Sequence, residues 1–146
     1  QLDTPQEVYD NPSSLSVAQF VGSPKINIFK GSSDSSGTVN LLNLNLKRKS
    51  SETNLELNIG IRPEHLEISN QSDEDTFSAK VSYRENLGSD IFFHVNTEDG
   101  MNRIIVRGIP QLTHEISNGS TVNIKRAPNK ALLFNQEGKR VQFNNA

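Results

Sequence analysis

The 146-residue sequence predicts an all-β chain, built as small barrels in two halves behind a short helical segment. Three observations predict it. From residue 24 onward apolar residues recur at every second position, the period of half-buried antiparallel strands. Turn-forming clusters punctuate these runs at short intervals, which favours small barrels over a parallel α/β sheet. No stretch after residue 24 reads as a long helix. Hydrophobic residues make up 33% of the chain and aromatics 6%, without Trp. Two thin cores, or a core completed by a partner, fit that composition as well as one large core.

The elements come in order along the chain. Thr4-Pro5-Gln6-Glu7 has the pattern of a capping box, with a hydroxyl at the N-cap, Pro at the first helical position and Glu three residues on. Asn11-Pro12 ends that helix. Ser13 or Ser14 caps a second one, carrying Leu15, Val17, Ala18, Phe20 and Val21, and Gly22 is placed to stop it. Ile26 and Ile28 then alternate with polar residues, and "GSSDSSG" at 31–37 reads as a flexible loop. Leu42, Leu44 and Leu46 form one alternating run, "KRKSSE" at 47–52 a polar turn, and Leu55, Leu57, Ile59 and Ile61 another run. The polar stretch "SNQSDED" at 69–75 is the strongest internal boundary. Beyond it Phe77, Ala79, Val81 and Tyr83 alternate, and Leu87-Gly88 interrupts. Ile91, Phe93 and Val95 come next, then a hairpin turn at Glu98-Asp99-Gly100. Residues 104–107, the pair Val122 and Ile124, and Leu132 to Phe134 complete the strands.

Several chemistries are excluded. Gly31 and Gly37 are one residue too far apart for a phosphate-cradling P-loop, and Thr38 stands where Lys is required. The three histidines, His65, His94 and His114, lie far apart, and there is no Cys to complete a zinc site. His94 is expected to point outward into solvent. No Gly-x-Ser-x-Gly elbow occurs. The formal charge of −2, without a basic stripe, argues against nucleic acid. No apolar run has the length of a membrane span.

The stretch "GIRPEH" gathers Arg62, Pro63, Glu64 and His65 directly behind a strand. Pro63 fixes its own φ and pushes Arg62 out of helical geometry. Gly60 permits close backbone approach. A rigid corner braced by Arg62 and Glu64 is the reading expected here, since no nucleophile accompanies them.

"TPQEVYDNP", "VAQFVGSPKINIF" and "LNIGIRPEHLEI" resemble the C-terminal part of the ATP-binding subunits of ABC importers of the carbohydrate-uptake type, those for maltose and glycerol 3-phosphate. "KVSYRENLGSDIFFHV" and "NGSTVNIKRAPNKALLFNQEGKRV" are similar to the second half of that region, the transport-associated OB domain. The resemblance implies OB-like barrels and a regulatory and dimerisation role, with no catalysis in this stretch. ATP and Mg belong to an upstream nucleotide-binding domain. No metal, cofactor or catalytic residue is expected in this chain. Implied partners are a second copy of the subunit, membrane-spanning permease subunits and a regulatory protein, at the cytoplasmic face of the cell membrane. By position, Phe20 and Gly60 fall in regulatory surface motifs, Arg62, Pro63 and Glu64 in the corner, and Gly88 in the "LG" turn. The implied division is residues 1–22 as a connection from a nucleotide-binding domain, 23–70 as the first part of the regulatory domain, and 71–146 as the transport-associated OB half. The alternative is a small-ligand or oxyanion-sensing OB-like domain, for which Lys80, Arg84 and Arg103 are the cations available.

Overall fold

In the computed structural model, which describes residues 3–42, 44–108 and 116–144, the chain separates into two compact units. The first comprises residues 1–61 and 131–146, the second residues 62–130. This differs from the division expected at 70/71. The strand that ends at Ile61 pairs with residues 132–134 rather than with the residues immediately after it, so hydrogen bonding and not the polar stretch sets the boundary. Residues 3–22 group with the first unit.

In the first unit, α1 (Pro5–Asp10) starts where Thr4 Oγ1 accepts from Glu7 N at 3.2 Å. Its Glu7 carboxylate is used one turn later, accepting from the Asn11 side chain at 3.0 Å. Ser14 caps α2 (Leu15–Phe20) through Val17 N, and Gly22 takes the left-handed φ of 102° that stops it. Leu15 and Ala18 face a cluster of Ile26, Ile28, Leu132 and Phe134, with Ala18 fully buried. The helix is tethered as well: Leu15 N donates to Gly138 O at 2.8 Å, and Arg140 Nη1 donates to Pro12 O at 3.1 Å.

Six antiparallel strands form the sheet of this unit. They are β1 (Asn27–Ser33), β2 (Thr38–Leu41), β3 (Leu44–Lys49), β4 (Glu56–Ile61), β10 (Leu132–Phe134) and β11 (Arg140–Val141), in the order β11-β10-β4-β1-β2-β3. The two edges meet. Ser50 bridges Phe143, Asn144 N donates to Lys49 O at 2.7 Å, and the Arg48 guanidinium lies 4.0 Å from the centre of the Phe143 ring. Phe29, Leu41, Leu57, Ile59 and Leu133 fill the interior. Period two predicts a half-buried β4. The strand is instead buried on both faces, and its polar Asn58 is satisfied by Lys30 Nζ at 2.8 Å across the Lys30–Asn58 pair.

The run at 31–37 is more ordered than expected. β1 continues through Ser33, and the turn is pinned by the Asp34 carboxylate, which accepts from Ser36 N, Ser36 Oγ and Thr38 N at 2.8–2.9 Å. Leu42 does not extend the strand of Leu44 and Leu46; it sits in a tight turn at φ 56°, because Leu41 already pairs with Leu44. The strand after Phe134, β11, has no sequence signal; two residues are too few to show a period.

The second unit is a closed five-strand barrel. Its strands are β5 (Leu66–Ser69), β6 (Thr76–Leu87), β7 (Asp90–Thr97), β8 (Arg103–Arg107) and β9 (Thr121–Arg126), with β5 parallel to β8 and every other neighbour antiparallel. Five strands closed in this way form an OB-type barrel. Ile68, Ala79, Val95, Ile104, Val106 and Ile124 fill it. Alternation along β6 is interrupted by a register shift between Val81 and Tyr83, beyond which it forms an exposed hairpin with β7. Among the described residues no helix is long and apolar enough to cross a membrane.

Gly31 gives the sharpest test of this packing. A Cβ there would lie against Ile59 Cδ1 and 2.5 Å from the Asn40 carbonyl oxygen, a backbone atom that cannot rotate aside. Gly31→Ala is expected to cost about 1–3 kcal/mol. In urea titration the midpoint should fall with the slope unchanged.

Candidate functional site

The corner that the sequence singles out lies at the entry to the OB-type barrel. Pro63 to His65 form one 3-10 turn between β4 and β5. His65 N donates to Arg62 O at 2.9 Å, and Leu66 N donates to Pro63 O. Arg62 is 3% exposed and Pro63 is buried. Glu64 takes no part in the expected brace, having no side-chain hydrogen bond or ion pair among the described residues, and backbone bonds close the turn beside the buried Arg62.

A small cavity of about 210 Å³ opens beside this turn. Glu64 and His65 line it from the turn, Glu67 from β5, and Lys125 and Arg126 from the end of β9; Ala127 and Pro128 close it. Register explains the juxtaposition. Leu66 pairs with Arg126 and Glu67 with Lys125, while Ala127 N donates to His65 O at 2.8 Å. These residues are separated by about sixty positions in the chain. Sequence reading finds the first group and misses the second, since only strand pairing unites them.

Burial holds the His65 imidazole below the ordinary histidine range. The Glu64 carboxylate opposes this, and the charges of Lys130, Arg62 and Arg107 add to the lowering. His65 Nδ1 is buried and has no hydrogen-bond partner among the described residues.

The other sequence-predicted positions scatter. Phe20 ends α2 with 92% of its surface exposed. Gly60 is not a surface position: it is buried in β4, paired with Ile28 on one side and Leu132 on the other. A Cβ there would lie 2.8 Å from Ile26 Cδ1 and 3.5 Å from Phe134 Cε2, so packing accounts for it. Gly88 sits at the open tip of the β6–β7 hairpin, at φ 64° with nothing near its Cβ position. His94 is not the solvated side chain expected. Its ring stacks on Tyr83 at 4.2 Å and its Nε2 lies 3.0 Å from Glu85 Oε1. The bulge in β6 creates this contact by bringing Tyr83 opposite His94. His114 lies outside the described residues. No group of three or more His, Asp or Glu able to hold a metal occurs among the described residues.

Fold and site together define an OB-type β domain with a charged corner. A family model described as a TOBE domain matches residues 59–134, and the chain belongs to that family. The sn-glycerol-3-phosphate import ATP-binding proteins UgpC of Shigella sonnei (strain Ss046) and Escherichia coli (strain K12) are each 34% identical to it over 152 residues, spanning 97% of this chain and 40% of their own length. UgpC of Psychromonas ingrahamii is 35% identical over 99 residues, covering 68% of this chain and 26% of its own. The chain thus spans about 40% of the length of the first two relatives. Among solved structures, the cytoplasmic molybdate-binding protein ModG, with molybdate bound, matches with a TM-score of 0.54 over 73% of this chain and 94% of its own. At 11% identity that likeness concerns the fold alone.

The imidazole yields a pH test. Folded His65 takes up its proton at lower pH than the unfolded residue, whose pKa is about 6.5. Between the two values the unfolded chain binds more protons, so the contribution of His65 to stability is complete above about pH 6.5 and declines as pH falls. Urea midpoints between about pH 7 and pH 5 should drop less steeply in His65→Gln than in the unaltered chain.

Proposed function

We propose that this chain is the regulatory and dimerisation domain of the ATP-binding subunit of an ABC importer for sugars or glycerol 3-phosphate, and that it does no catalysis itself. The observation that carries this reading is the 34% identity extending over 97% of the chain to glycerol-3-phosphate import ATP-binding proteins. ATP and Mg are handled elsewhere in the parent subunit. The parent works with membrane-spanning permease subunits at the cytoplasmic face of the membrane, and the domain also receives regulatory proteins. Its physical task is to hold two subunits together, so that the nucleotide-binding parts meet at a high effective concentration whatever their own affinity.

Phe20 supports a contact role. A phenyl ring at 92% exposure gains nothing from folding, whereas burial against a partner is worth about 1.5–3 kcal/mol.

Sedimentation tests the reading. The chain is expected to dimerise by roughly 100 µM, the range reached by an interface of about 5–6 kcal/mol. Phe20→Asp should weaken the dimer about tenfold or more while leaving the thermal midpoint of folding unchanged. A strict monomer at that concentration contradicts the dimerisation role.

A further inference from the structure

Strand β6 outruns the barrel. It pairs with β9 only from Thr76 to Lys80, yet with β7 as far as Leu87. From Tyr83 onward its other edge pairs with no strand among the described residues. β7 is better held. It pairs with β8 from Phe92 to Asn96, and Gly108 N donates to Ile91 O at 2.7 Å. The changeover lies at the bulge, where Ser82 is the extra residue and its Oγ accepts from Asn96 Nδ2 at 2.8 Å. A segment paired along one edge and ending in exposed residues 86–90 opens at little cost.

A side-chain cluster ties this segment back to β7. The Tyr83 ring lies flat on His94, with centroids 4.2 Å apart and planes within 12° of each other. His94 Nε2 lies 3.0 Å from Glu85 Oε1. The His94 side chain is 17% exposed and that of Glu85 42%, so the imidazole is the shielded member. Tyr83 and Glu85 belong to the projecting part of β6, whereas His94 sits opposite Ile105 in the part of β7 that the barrel holds.

We infer that protonation of His94 clasps the β6–β7 hairpin to the barrel, making the hairpin a pH-dependent element that closes as the solution becomes mildly acidic. Histidine changes charge between about pH 5 and pH 8. Once charged, the ring donates from both nitrogens, its bond to Glu85 becomes charge-assisted, and its positive charge rests on the Tyr83 ring face. The neutral ring keeps one N–H and loses both electrostatic gains. Other charges share this face of the sheet. Lys80 on β6, and Arg103 and Arg107 on β8, oppose a charge on His94, while Asp90 on β7 favours it. All four are exposed and stand at diagonal positions, about 7–8 Å away, or farther, so water and salt screen them. The carboxylate in contact decides the sign. The closed hairpin therefore takes up the proton more readily than the open one, and closure is favoured as pH falls.

The test is amide hydrogen exchange of the full chain by NMR at about pH 7.5 and about pH 5.5, corrected for the intrinsic pH dependence of exchange. Protection of amides 84–88 is expected to rise about fivefold at the lower pH, the margin between a neutral and a charge-assisted bond at a partly exposed site. Glu85→Gln keeps the shape and an acceptor oxygen but removes the charge, and should cut the rise to less than about twofold. His94→Gln should abolish it. Arg84→Gln, next along β6 on the opposite face, should leave it intact. Thermal midpoints at about pH 7.5 establish that each variant folds. His65 acts in the reverse sense, weakening the folded chain as pH falls, so it cannot supply the rise. No rise in the unaltered chain, an equal rise in Glu85→Gln, or a rise shared by Val95 and Ile124 inside the barrel would each overturn the inference.

Discussion

Strand β4 pairs on one edge with β1 over Asn27 to Ser32, and on the other with β10 over Leu132 to Phe134. Its residues Leu57, Ile59 and Ile61 are at most 1% exposed, and its opposite face is closed as well. A strand that is central in both directions cannot acquire its hydrogen bonds from nearby sequence alone. One of its two edges is satisfied by a segment some seventy residues downstream. The first unit is therefore discontinuous in sequence, and the whole OB-type barrel is spliced between two of its neighbouring strands. The entropy of that long closure grows only slowly with loop length, and a barrel that folds within the loop shortens it further.

Two local features result from this arrangement. Gly60 leaves room for Ile26, whose Cδ1 would lie 2.8 Å from a Cβ there and would have to shift, where β1, β4 and β10 meet. The chain must then leave the sheet abruptly after Ile61. Pro63 and the single 3-10 turn through His65 achieve this with backbone bonds. The polar cluster that invites a catalytic reading is first a device for changing direction. Its second consequence is electrostatic: the turn sets His65 and Glu64 beside the basic end of β9, and so makes the charged corner of the barrel.

The fold class is legible in the sequence because period two and turn chemistry are local. Ile59 and Ile61, or Val95 with Phe93, show their faces without knowledge of partners. Helix caps are equally readable, as Thr4, Ser14 and Gly22 act within four residues of themselves. What local pattern cannot carry is pairing. The unit boundary, the two-sided burial of β4 and the meeting of Glu67 with Lys125 all depend on register between distant strands. The bulge after Val81 shifts β6 by one position and makes His94 a stacked side chain rather than a solvated one. The corner is visible through Arg62, Pro63 and Glu64, but its basic half is not, since Lys125 and Arg126 read only as strand ends.

The central claim is that β1, β4 and β10 form one cooperative body, with the barrel folding separately. Native-state hydrogen exchange on Leu133→Ala tests it most directly. Truncating this fully buried side chain costs about 2–5 kcal/mol. If the claim holds, amides of Phe29, Ile59 and Phe134 lose protection by a common factor, while those of Val95 and Ile124 in the barrel keep theirs. Loss confined to β10 and β11, with β1 and β4 still protected, would contradict it.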